Sequence, residues 1–232
     1  MNKKTLPLLS MLVHEIKAPL AAVQQNLMAA RGGYAGEVSE QIKEILSRSE
    51  NRISELIGFL DRWQQFAQWT GGETQKELQP LELVEIIDQT LSIIKPDAAK
   101  KNVNLSVSIP EEPLRIIGDK KAFALALRNC LENAVKYCNH GGSIQIQLTA
   151  SGESADLVII DDGIGIPKAD QGCVFEPFFR ASNAHEISGS GLGLAIAGAI
   201  INGCGGSIKI ESEEGKGTTL KIILKTISCN PS

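Results

Sequence analysis

Asn129, Asn133 and Lys136 are spaced by four and then three residues, which puts their side chains on one face of a helix. Two amides and an ammonium in a row make a poor core stripe. They suit a Mg2+-bound triphosphate, because an amide oxygen can ligate a hard cation and an ammonium can pair with phosphate. The same three residues would also sit well on a solvated helix face. A second chemical position is Asp161, the carboxylate that ends the apolar run Ala155–Ile160. A carboxylate there can accept a hydrogen bond from an exocyclic amine such as that of adenine. Gly163 and Gly165 just beyond it would let the backbone pass close to a flat ring. An ordinary Asp-Gly turn has the same look. A third is the run Gly189-Ser190-Gly191-Leu192-Gly193-Leu194-Ala195-Ile196. Here three alternate glycines lead into an apolar, helix-competent segment. Converging backbone N–H groups and a helix N-terminus make a place for phosphates, or a plain loop before a buried helix. The fourth is His14-Glu15 inside His14–Leu20, at the edge of an apolar stripe, where an isolated histidine reads as a satisfied surface side chain.

The elements that must carry these residues can be read in order. From Leu6 to about Ala30 apolar residues recur at helical spacing, and a second helix of about thirty residues follows the break Arg31–Gly36. Two long helices joined by a short glycine loop form an antiparallel hairpin. A lone hairpin buries little, so two copies are expected to pair as a four-helix bundle, a homodimer. Pro19 lies in mid-helix, where it removes a hydrogen bond at a cost of about 3 kcal/mol. The polar, glycine-rich run after Trp69 reads as a linker. The remainder reads as a helix from Leu83 to about Ala99 with Pro96 as a late break, strands over Val103–Ile109 and Leu114–Ile117, and a long helix capped by Asp119. Strands over Ser143–Ala150 and Ala155–Ile160 come next. A helix then starts in the segment Gly189–Ile196 and runs to about Asn202, before closing strands over Ser207–Glu211 and Thr218–Lys225. Without regular βαβ alternation this is an α+β sandwich: a mixed sheet with helices on one face. The domains expected are 1–70, the linker 71–77, and 78–228.

Composition narrows the classes. With 232 residues and net charge −4, and without a basic tail or stripe, the chain has no support for nucleic-acid binding. Five cysteines form no CxxC pair, and three histidines are too dispersed to complete a zinc site. Reduced thiols favour a cytoplasmic location. No signal peptide is visible and no apolar run reaches transmembrane length. Membrane association is therefore expected only through segments absent from this chain, which would then be the soluble part of something larger.

Taken together, the motifs resemble the catalytic core of a bacterial-type sensor histidine kinase, over about Leu6 to Lys225. His14–Leu20 resembles the H box, Asn129–Tyr137 the N box, Asp161–Ile166 the first glycine box, Phe175–Arg180 the F box and Gly189–Ile196 the second glycine box. Gly217-Thr218-Thr219 resembles the family's terminal strand turn. The resemblance implies ATP and Mg2+ as cofactors. It implies autophosphorylation of His14, with Glu15 holding the imidazole tautomer and acting as base, and phosphotransfer to an aspartate of a response regulator receiver domain. By the same resemblance Asn133 and Asn129 would hold the metal, Lys136 would contact phosphate, and Tyr137 would pack at adenine. Asp161 would read the adenine amine, and Gly163, Gly165, Gly189, Gly191, Leu192 and Gly193 would shape the nucleotide pocket. Residues 169–188 would be the ATP lid, and Pro19 would bend the first helix. Where many family members carry Thr or Asn four residues after the histidine, this chain has Ala18, so phosphatase activity towards the partner is doubtful. Two other classes share parts of the pattern: a conformational ATPase of the Hsp90, MutL and type II topoisomerase group, and a dimeric scaffold that binds nucleotide without chemistry.

Overall fold

A computed structural model describes residues 5–34, 36–71 and 78–227, with the side chains of 5–12, 14, 70 and 71 outside the described set. The chain divides into two compact units, Met1–Thr74 and Gln75–Ser232. Apart from Gly71, the last residue of the second helix, the expected linker 71–77 lies outside the described residues.

The first unit is a helical hairpin of α1 (Thr5–Arg31) and α2 (Glu40–Gly71). Pro19 stays inside α1 on its exposed side, and the helix continues through it. Polar pairs tie the two helices together at a seven-residue interval along α1. Lys17 pairs with Asp61, Gln24 Nε2 donates to Ser54 Oγ at 2.6 Å, and Arg31 Nε meets Glu50 Oε1 at 2.9 Å. Seven residues are two helical turns, so the three α1 residues stand on one stripe. Apolar side chains elsewhere on the hairpin stand half in solvent: Ile16, Val23 and Met28 on α1, and Ile42, Ile45 and Leu56 on α2.

The second unit runs β1 (Gln79–Glu82), α3 (Leu83–Lys100), β2 (Asn104–Ser108), β3 (Arg115–Gly118), α4 (Lys120–Tyr137), β4 (Ser143–Ser151), β5 (Ser154–Asp161), α5 (Gly193–Gly203), β6 (Ser207–Glu213) and β7 (Gly217–Lys225). The main sheet has the order β2-β4-β5-β7-β6. Only the β2–β4 pair is parallel, and that parallel crossover is the one that contains α4. Alternate residues of the central strands are buried: Ile144, Ile146 and Leu148 on β4, Leu157 and Ile159 on β5, and Ile222 and Leu224 on β7. The helices cover this face with Ile86, Ile87, Phe123, Leu127, Leu131, Ile196 and Ile200. The expected α+β sandwich, with helices on one face of a mixed sheet, is the observed architecture.

Two readings need correction. Pro96 does not break α3, which runs on to Lys100. Pro96 is exposed and so is Ser92, whose carbonyl loses its partner, so water can replace that bond while Ile94 and Ala98 keep the buried face packed. The short strand β1 was not expected. It contains Pro80, and only Leu81 of its four residues is buried, so it carries almost no alternation signal. It pairs with β3 in a separate two-stranded sheet, Gln79 opposite Gly118. The helix expected to start within Gly189–Ile196 does so: α5 starts at Gly193, and Gly189–Leu192 is non-helical backbone ahead of it.

Candidate nucleotide site

The site is built around α4. Asp119 starts that helix by accepting the amide of Ala122 at 3.0 Å, a side-chain N-cap. Two turns on, Asn129 is buried, and its Nδ2 donates to Leu125 O at 3.0 Å. That bond uses the amide hydrogen inside the helix and leaves the amide oxygen as an outward acceptor. A Cβ placed on Gly193 would lie 3.3 Å from Asn129 Oδ1 and 3.4 Å from Asn133 Nδ2. Both amides therefore converge on the first residue of α5. One turn further along α4, Lys136 Nζ lies 4.6 Å from the centroid of the Tyr137 ring and donates to its hydroxyl at 3.1 Å. A Cβ on Gly189 would overlap that ammonium. The Asn129–Asn133–Lys136 face thus lies along Gly189–Gly193, and α5 opens with no side-chain cap on its first amides. Uncapped amides at a helix N-terminus attract anions.

The end of β5 forms a second wall. Asp161 is buried, and its carboxylate accepts the Gly163 amide at 3.0 Å. Burial pushes its pKa up to about 6, against the lowering effect of the Gly163 and Thr218 amides, and the neighbouring Asp162 charge adds to the rise. Gly163 has no room for a side chain, because a Cβ there would overlap Tyr137 O and lie 2.7 Å from Asp161 Oδ1. Asp162 points the other way. It accepts Ser143 N at 2.9 Å, Ser143 Oγ at 2.7 Å and Cys138 Sγ at 3.3 Å. The Ser143 hydroxyl and amide bonds hold the Asp162 carboxyl below the usual carboxylate range. Burial drives the Cys138 thiol up to about 12, so it is a hydrogen-bond donor and not a nucleophile.

Between the two glycine segments the chain is fastened by its own side chains. Asp170 Oδ2 accepts the amide and hydroxyl of Ser182 at 2.7 Å each. Arg180 Nη2 donates to the carbonyls of Ala184 at 2.5 Å, His185 at 3.0 Å and Ile187 at 2.5 Å. Asn183 Nδ2 donates to Gly165 O at 3.0 Å, which ties this segment to the first glycine turn. Phe178 adopts φ 67, and its amide donates to the carbonyl of Gly191, itself at φ 68, at 3.0 Å. A left-handed phenylalanine is strained by roughly 1–2 kcal/mol. Gly191 has to be glycine, since a Cβ would lie 2.6 Å from Phe178 C.

Among the sequence-derived site residues the structure brings together Asn129, Asn133, Lys136, Gly189 and Gly193 on one side, and Asp161 and Gly163 on the other. Tyr137 lies beside Lys136. Leu192 is fully buried, so only its backbone is available to a ligand. Gly165 abuts the backbone at Glu213 and Glu214. His14 falls within α1, but its side chain lies outside the described residues, and Glu15 is exposed on the same helix. No local motif marks Lys101, which caps the end of α4, or the Ser143–Asp162–Cys138 cluster next to Asp161. Both are assembled from distant segments.

Among the described residues no cluster of His, Cys, Asp and Glu is suited to a metal ion, and no helix is long and apolar enough to cross a membrane. Residues 118–227 match the family of histidine kinase-, DNA gyrase B- and HSP90-like ATPases, which defines the class of the second unit. The sensor histidine kinase WalK of Bacillus subtilis is 30% identical over 216 residues, covering 91% of this chain and 35% of that protein. The solved structure of the mycobacterial sensor histidine kinase MprB is 31% identical, with TM-score 0.57, covering 64% of this chain and 97% of that one. Full-length ShkA in complex with AMPPNP shares the fold over 96% of this chain and 46% of its own, with TM-score 0.78 and 20% identity. The chain belongs to the sensor histidine kinase family. It spans between 35% and 54% of the length of the curated relatives it matches.

Proposed function

We propose that this chain transfers the γ-phosphoryl group of ATP to His14 and then to an aspartate of a response regulator receiver domain. The observation that carries the reading is the alignment of Asn129, Asn133 and Lys136 along Gly189–Gly193, with Asp161 and Gly163 at the neighbouring strand end. Polyphosphate fits the first side, where an ammonium and free helix amides provide positive charge. Adenine fits the second, where the buried Asp161 carboxylate can accept the exocyclic amine. Asn133 and Asn129 offer amide oxygens to Mg2+, which would neutralise phosphate charge when bound.

In the reaction, Nε2 of neutral His14 supplies the electron pair for a new N–P bond. The bond from the γ-phosphorus to the bridging oxygen breaks, and ADP leaves with that electron pair. Glu15 accepts the Nδ1–H hydrogen bond, which fixes the tautomer, and as base takes that proton when the ring becomes cationic on N–P bond formation. Receiver attack reverses the roles: the aspartate oxygen forms the new O–P bond and His14 is the leaving group. The half-exposed apolar residues Ile16, Val23, Met28, Ile42, Ile45 and Leu56 support a homodimer in which two hairpins pair as a four-helix bundle. The chain is read as a cytoplasmic unit of a sensor.

The test is incubation with γ-labelled ATP and Mg2+, comparing the parent with His14→Gln. Label that is lost in acid, survives base and vanishes in the variant is the expected result. Nucleotide binding without label in the parent would favour the scaffold reading.

A further inference from the structure

We propose that Lys101 is a positioning residue for nucleotide: its ammonium, without touching the ligand, sets the end of α4 from which Lys136 and Tyr137 project. The inference rests on the reading that this face of α4 binds nucleotide.

Helix α4 has no left-handed glycine to close it. Its C-cap is Cys138, with φ −61 and ψ 149. The last carbonyls of a helix need partners from elsewhere. The Cys138 amide satisfies Ala134 O at 2.9 Å. Lys101 Nζ then donates to Val135 O at 3.1 Å, Lys136 O at 2.7 Å and Cys138 O at 2.6 Å. An ammonium has three N–H donors, and here all three are used. The remaining carbonyl, Tyr137 O, accepts Ile164 N at 3.1 Å, from the first glycine turn. One side chain and one site amide thus account for every carbonyl from Val135 to Cys138. The positive charge also complements the negative end of the helix dipole.

Lys101 is itself anchored. It follows the last residue of α3, its carbonyl accepts Gly141 N at 3.0 Å, and Asn102 next to it turns the chain at φ 54. Removing the ammonium leaves three carbonyls to find water at the point where Lys136 meets Gly189 and Tyr137 O meets Gly163. The loss should appear in nucleotide binding, because the groups displaced belong to the pocket and not to the phosphoacceptor.

The experiment uses the full chain with Lys101→Met and Lys101→Arg. It measures the Kd of a fluorescent ATP analogue, the KM for ATP and the maximal autophosphorylation rate at saturating ATP. Lys101→Met should weaken Kd and raise KM by about tenfold, as expected for lost bonds to a charged donor, while the maximal rate stays within about twofold. Lys101→Arg keeps the charge but cannot converge three donors from one nitrogen, so it should recover most of the affinity, to within about threefold of the parent. A folded Lys101→Met that binds the analogue within about twofold of the parent overturns the proposal, as does equal loss in KM and maximal rate. Where Lys101→Met does not fold, Lys101→Gln is read by the same criteria, and if neither folds the residue is structural and the proposal fails. A parent that binds no nucleotide sinks the reading of the site itself, and is distinguished from the other outcomes by that fact.

Discussion

Asp161 Oδ1 accepts the amide of Gly163 at 3.0 Å from a position that is almost fully buried. Burial dominates its titration and lifts its pKa to about 6. In the unliganded protein a raised carboxyl pKa means that the stability this group contributes is fully present below the unfolded value of 3.8 and is lost as pH rises through about 6. On the proposed reading nucleotide has the opposite demand, since the adenine amine would donate to the ionised carboxylate. Affinity for ADP should therefore be level above neutrality and fall as pH drops through about 6, with proton release on binding near that pH. Calorimetric titration in buffers of different ionisation enthalpy measures both. In Asp161→Asn binding should be weak and flat with pH; a parent-like pH profile in that variant would remove Asp161 from adenine recognition.

The two glycines nearest α4 should fail differently when replaced. At Gly163 a Cβ meets backbone, Tyr137 O, which cannot step aside. Gly163→Ala should destabilise the second unit by about 1–3 kcal/mol, the usual range for overpacking, and abolish nucleotide binding. At Gly189 the Cβ overlaps the Lys136 ammonium, the far end of a flexible side chain. Gly189→Ala should leave stability within about 0.5 kcal/mol of the parent and move Lys136. Adenosine affinity should then hold while ATP affinity drops. Thermal unfolding and parallel titrations with adenosine and ATP separate the two cases.

Within the hairpin the polar pairs differ in burial. Glu50 is 8% exposed at its side chain while its partner Arg31 is 47% exposed. Arg31→Ala leaves a buried carboxylate without its cation, and should cost about 1–2 kcal/mol, less than a wholly buried pair because water reaches the arginine side. Lys17 and Asp61 are both about two-fifths exposed, so Lys17→Ala should cost no more than about 1 kcal/mol. Urea denaturation followed by helical circular dichroism ranks them. Equal losses would mean that burial does not govern these pairs.

The sequence was most informative where one segment carries its own signal. Helix α4 could be bounded at Lys120 and Tyr137 because Asp119 is a cap and the apolar positions repeat behind it. Asn129, Asn133 and Lys136 were placed on one face by spacing alone, and that face does meet Gly189–Gly193. What could not be read depends on partners distant in the chain. Pro96 reads as a helix break until the solvent exposure of Ser92 is known. Strand β1 exists only because β3 pairs with it. Lys101 is an ordinary lysine in the sequence, and its role appears only where the folded chain brings it to the end of α4. The left-handed Phe178 is likewise imposed by its bond to Gly191, since no local preference would put phenylalanine there.

One turn beyond His14, residue 18 is an exposed alanine on α1. Hydrolysis of a receiver acyl phosphate needs a water held in line with the phosphorus, and a hydroxyl or amide at this position could hold it. A methyl group offers neither donor nor acceptor. The parent protein with ADP should therefore leave a phosphorylated receiver to decay at its own rate. Ala18→Thr supplies the hydroxyl without changing charge, at a helix-propensity cost below about 0.7 kcal/mol. It should accelerate dephosphorylation while leaving autophosphorylation of His14 close to the parent level. Loss of label from purified phosphorylated receiver, followed over time with each protein, decides the matter. Rapid stripping by the parent would show that another residue positions the water; no gain in Ala18→Thr, with autophosphorylation intact, would show that the missing hydroxyl is not what limits the reaction.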